Sequence, residues 1–143
     1  MLSTLHYIWE IEQIEIIKNK LQNYMIPKIT KGNAFSFKAE IFKDNETLNI
    51  EKYDTKVFFI SPMGIRHDVD IYETKSNYII CDFKESIPSL IYGIEILLSN
   101  DNEKLRLPIK EALQIVEYSE QSDPYKTNTF QTTNNTKVIL SIK

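Results

Sequence analysis

The chain has 143 residues, 20 acidic against 17 basic side chains for a net charge of −3, and a single cysteine. A chain of this length buries enough surface to fold as one domain, 1–143, without a disulfide or metal staple, and its 5 prolines and 3 glycines leave little room for a linker. Basic residues are scattered among acids, which argues against nucleic-acid binding, and no apolar run reaches the roughly 18 residues of a membrane helix.

Met1–Tyr7 lacks a basic start and is soon followed by Glu10, Glu12 and Glu15, so no secretory signal is expected. With one thiol, the expected compartment is the reducing cytoplasm.

In chain order, residues 5–25 are rich in helix formers. Tyr7, Ile11, Ile14, Leu21 and Met25 fall on one helical stripe, widened by Ile8, Trp9 and Ile16 and stopped by Pro27. From Ala34 the period changes to two. Phe35, Phe37, Ala39 and Ile41 alternate with Ser36, Lys38 and Glu40, predicting a half-buried strand. Lys43-Asp44-Asn45-Glu46 supplies a turn, after which Leu48 and Ile50 are expected on the returning strand of a hairpin.

Val57–Ile60 predicts a strand covered on both faces, Ser61-Pro62-Met63-Gly64 a turn, and Ile65–Glu73 and Tyr78–Phe83 two further strands of an antiparallel meander. Residues 89–99 fit two periods. Leu90, Ile91, Ile94, Leu97 and Leu98 suit a helix, whereas the alternation of Leu90, Tyr92, Ile94, Ile96 and Leu98 suits a strand, and the helix is preferred. Leu105 and Leu107 suggest a short strand. Pro108 then opens an expected helix with Ile109, Ala112, Leu113 and Val116 on one side. Residues 125–142 read as a hairpin turning near Asn134-Asn135, with Val138, Leu140 and Ile142 inward. The expected class is α+β: a mainly antiparallel sheet with an N-terminal helix and one or two further helices packed on it.

Chemistry-bearing residues are few. Cys81 follows Tyr78-Ile79-Ile80 and reads as a buried strand thiol. The cluster Arg66-His67-Asp68-Val69-Asp70 invites an acid–base or metal reading. On a strand, however, His67 shares a face with Val69 and Ile71, while Arg66, Asp68, Asp70 and Tyr72 share the other, so His67 and Asp68 cannot act together. Asp68 and Asp70 alone are too few oxygen donors for a cation site. Gly32, Gly64 and Gly93 form no phosphate-cradling loop, and no nucleophile elbow occurs. No cofactor, metal or catalytic group is expected.

The reading these features support is a non-catalytic, acidic protein-binding domain, of the kind that blocks a basic toxin as an immunity protein or antitoxin. Its candidate contact residues are Arg66, Asp68, Asp70 and Tyr72. Alternatives are a small dimeric secretion chaperone and a small enzyme or ligand-binding domain. The latter would gather His67 or Cys81 with a carboxylate in one pocket.

Overall fold

The computed structural model describes residues 26–117 and 126–142. The helix expected over 5–25 lies outside them. Among the described residues ten strands make up one sheet: β1 (Lys28–Thr30), β2 (Phe35–Lys43), β3 (Glu46–Thr47), β4 (Asp54–Ile60), β5 (Arg66–Thr74), β6 (Tyr78–Phe83), β7 (Ile91–Ser99), β8 (Lys104–Val116), β9 (Lys126–Gln131) and β10 (Thr136–Ile142). Their order is β1-β8-β7-β4-β5-β6-β2-β10-β9, with β3 appended to β2. Every pairing is antiparallel except that of β1 with β8.

The described residues are thus nearly all β, and the α+β expectation is corrected. Both segments expected as helices, 89–99 and the one opening at Pro108 and broken at Ser122-Asp123-Pro124, fall on strands where the structure describes them: Ile91–Ser99 of β7, and Pro108 to Val116 within β8. In β7 the β-branched and aromatic content prevails. Tyr92, Ile94, Ile96 and Leu98 alternate into the core, and their spacing fits a pleat as well as it fits a helix. In β8 a bulge produced the misleading period. Tyr92 pairs with Leu113 but Ile94 pairs with Ile109, so Lys110, Glu111 and Ala112 stand opposite Gly93 alone. Glu111 takes a φ of 51° there. Inserting residues into an alternating strand places Ile109, Ala112, Leu113 and Val116 at intervals of three, one and three, which imitates a helical stripe. Pro108 is admitted mid-strand because β1 covers only Gln114–Val116, leaving β8 an edge strand at the proline among the described residues.

The returning strand expected around Leu48 and Ile50 is also shorter than read. It ends at Thr47, and Ile50 instead lies fully buried in a single 3-10 turn, Ile50–Lys52, capped by the Asn49 side chain. The hairpin turn itself follows its chemistry. Asp44 and Asn45 both adopt positive φ (52° and 63°), the geometry of the turn that matches strand twist. Asn134 and Asn135 do the same before β10, where Val138, Leu140 and Ile142 are buried as expected. At the β4–β5 turn, Gly64 has φ 83°, and Ser61 Oγ accepts the Ile65 amide at 3.0 Å.

The sheet curls into a half-barrel with its core on the concave side. Phe37 on β2 lies 5.8 Å from Phe59 on β4, although β5 and β6 separate the two strands within the sheet. Phe35 and Phe83 join them, with Phe59–Phe83 edge-to-face at 4.7 Å. The curl passes through β5. Arg66–Val69 pair with β4, whereas Asp70–Thr74 pair with β6, so the strand changes neighbours halfway along. β4 and β5 part beyond the Val57–Val69 pair and leave a groove open to solvent.

Candidate functional site: the convex face of the sheet

β5 is extended throughout Arg66–Thr74, as its alternating residues predict. His67 and Asp68 occupy opposite faces. His67 points inward and meets the buried Tyr92 ring edge-to-face at 5.9 Å, while Tyr92 donates its hydroxyl proton to the Pro88 carbonyl at 2.6 Å. Arg66, Asp68, Asp70 and Tyr72 are all exposed on the convex side. A bulge between Ile71 and Glu73 leaves Tyr72 without a partner on β6 and turns it out, 74% exposed.

Of the four candidate contact residues, the structure groups two in one groove. Asp68 and Asp70 line the groove where β5 leaves β4, a space of about 440 Å³ shared with Lys56 and Phe58. Among the described residues neither carboxylate has an ion-pair partner. Arg66 is occupied elsewhere: its Nη2 donates to Glu95 Oε1 at 3.0 Å, and its guanidinium lies over the Phe58 ring.

Two features escaped sequence reasoning. Asp70 stands directly opposite Asp82 in the β5–β6 register. Like charges set face to face across two strands destabilise the pair. Among the described residues nothing on the β2 side relieves it, since Asp82 faces Ser36, while Lys38 is turned to Glu40 (3.5 Å) and the Tyr78 ring. The alternation of β6 signalled that Asp82 faces outward, but its juxtaposition with Asp70 depends on register. Glu95, the only charged residue of β7, is the second feature. It is 1% exposed, yet it lies on the convex side, roofed by Arg66 from β5 and by Arg106 from β8. Arg106 donates through Nε (2.7 Å) and Nη2 (2.6 Å) to Glu95 Oε2. A carboxylate removed from water is tolerated only with such charged, hydrogen-bonded company. The signal available was a lone acid inside an apolar run.

The remaining chemistry is muted. Cys81 is fully buried on the concave side, and burial pushes its thiol up to about 12, the opposite of an activated nucleophile. The hydroxyl of Tyr53 donates to Glu103, and this bond, with burial and the glutamate charge, raises the phenol to about 12. No three His, Cys, Asp or Glu side chains among the described residues come together as a metal site, and no described helix is long and apolar enough to cross a membrane. Comparison of the chain with family models, with characterised proteins and with solved structures returns no match.

Proposed function

We propose that the chain is a non-catalytic domain that binds a basic protein partner, such as a toxin whose active surface it covers, through the convex face of β5 and β6. One observation carries the reading: the exposed Asp68 and Asp70 and the half-buried Asp82 form an outward acidic face with no ion-pair partner among the described residues, and two of them are set in register against each other. A directly opposed like-charge pair costs the isolated sheet on the order of 0.2–1 kcal/mol, and a lysine or arginine from a partner reverses that sign. The groove beside Asp68 and Asp70 gives such a side chain somewhere to lie, and Tyr72, further along β5, offers a large, exposed aromatic surface. Arg66 then serves as the fixed border of the contact area rather than its centre, because Glu95 already holds it. The net charge of −3 favours encounter with a cationic surface.

The test is a comparison of baits. Wild-type chain and the double variant Asp68→Lys/Asp70→Lys are presented both to extract of the native host and to the purified product of the neighbouring reading frame. A basic protein retained by wild type, released by salt and lost from the variant is the expected result. Equal retention by both baits rejects this placement of the contact surface.

A further inference from the structure

The convex face changes sign from one side to the other. Directly opposite residues share a face, so Lys56 on β4, Leu97 on β7 and Arg106 on β8 form one row across it, and Asp54, Ser99 and Lys104 form the next. All six line a groove of about 350 Å³. Three of its side chains are cations and one, Asp54, is an acid. Lys56 and Lys104 are exposed and have no ion-pair partner among the described residues. Arg106 is bonded to Glu95, but Arg66 shares that carboxylate, which sets two positive charges against one negative, and Arg106 stays 65% exposed. Half-buried Leu97 supplies an apolar floor between Lys56 and Arg106. The excess positive charge of this groove faces solvent.

The cationic groove adjoins the acidic face in a fixed register. Val57–Val69 is the last β4–β5 pair, and the next residues on the two strands, Lys56 and Asp70, stand on the two banks of the β4–β5 groove. From β6 to β8 the row therefore reads Asp82, Asp70, Lys56, Leu97, Arg106. Strands lie about 4.8 Å apart, so the three spacings from Asp70 to Arg106 amount to roughly 15 Å. A surface of one sign attracts a counter-charged body in many orientations, whereas a face carrying both signs favours one. A nucleic acid fits it poorly. Its phosphates carry a single sign along the strand and would meet Asp54 inside the groove and Asp70 beside it.

We propose that Lys56, Lys104 and Arg106 receive acidic side chains of the same protein partner whose basic side chain enters the groove at Asp68 and Asp70, so that the two halves of the face together set its orientation. The inference rests on the acidic-face reading and adds the partner's second charge, a carboxylate-bearing stretch roughly 15 Å from its basic group.

Proton–nitrogen correlation NMR of the full chain at low salt tests this residue by residue. The probes are hexaglutamate, hexalysine, and a bipolar peptide whose lysine and glutamate blocks are joined by Gly-Ser-Gly-Ser, a spacer that reaches roughly 16 Å when extended. Hexaglutamate should shift the amides around Lys56, Leu97, Lys104 and Arg106. Its affinity should fall about tenfold in Lys56→Glu/Lys104→Glu, two exposed positions whose replacement leaves the spectrum dispersed, and should persist in Asp68→Lys/Asp70→Lys. The bipolar peptide should bind about tenfold or more tighter than hexaglutamate, because its second block binds intramolecularly. Four results overturn the inference: no hexaglutamate shifts on β4, β7 and β8, shifts that survive Lys56→Glu/Lys104→Glu, tighter binding of hexathymidylate at the same residues, or a bipolar peptide no tighter than hexaglutamate. Hexalysine that leaves β5 and β6 unshifted rejects the acidic face itself, and the shared partner with it.

Discussion

Removing both roofing arginines from Glu95 should destabilise the fold far more than neutralising Glu95 itself. Replacing Arg66 and Arg106 by methionine keeps their aliphatic cover but strips three charge-assisted bonds, of 3.0, 2.7 and 2.6 Å, from a carboxylate that is 1% exposed. An uncompensated buried charge of this kind costs about 3–5 kcal/mol. Glu95→Gln leaves the two guanidinium groups half in water (50% and 65% exposed), where they rehydrate, and exchanges charged for neutral hydrogen bonds. That loss is about 1–2 kcal/mol. The triple variant Arg66→Met/Glu95→Leu/Arg106→Met, with neither charge nor partner, should return close to wild type. Urea denaturation followed by far-ultraviolet circular dichroism measures all three, provided the m-value stays constant. For a chain of this size the double methionine variant should melt roughly 10 °C lower, at ~2–4 °C per kcal/mol. A double variant within about 1 kcal/mol of wild type, or one more stable than Glu95→Gln, would show that Glu95 is not held as an obligatory buried ion, and the reasoning would fail.

Asp70→Asn should raise stability by roughly 0.2–1 kcal/mol by relieving its opposition to Asp82, and should weaken partner binding at the same time; a midpoint shift downwards in urea contradicts the acidic-face argument. Cys81 should resist thiol reagents in the native chain at pH 8 and react fully in guanidinium, because its sulfur is buried and its pKa is raised to about 12; native labelling at the rate of a free thiol would place it at the surface. Stability should also fall in alkali. Cys81 and Tyr53 are acids whose folded values, each about 12, lie above their ordinary values of 9.0 and 10.0, so the folded chain holds these protons more tightly. Their contribution is whole below about pH 9 and is lost as pH rises towards 12. Urea midpoints that stay level from pH 8.5 to 11 would remove both groups from the account.

Local chemistry was legible in the sequence where it acts locally. The Asp44-Asn45 and Asn134-Asn135 turns, the alternation of β2, β6 and β10, and the opposite orientations of His67 and Asp68 all follow from residue type and the two-residue pleat. What misled was a period broken by insertion. Ile109, Ala112, Leu113 and Val116 carry helical spacing only because Glu111 sits in a left-handed bulge, which no pattern count distinguishes from a turn of helix. The candidate site was legible by face and not by partner. Alternation put Asp68, Asp70 and Tyr72 together, whereas the facing of Asp70 with Asp82 and the roofing of Glu95 depend on strand register and on contacts 29 and 11 residues apart.

The acidic face of β5 and β6 is the central claim, and its most direct test is the salt dependence of partner affinity. Titration calorimetry of the retained basic partner should show affinity falling at least about tenfold between 50 and 300 mM salt for the wild-type chain, because exposed charge pairs are screened over that range. For Asp68→Asn/Asp70→Asn the slope should flatten as the affinity drops. An unchanged slope in that variant, or an affinity indifferent to salt in the wild type, would contradict the account.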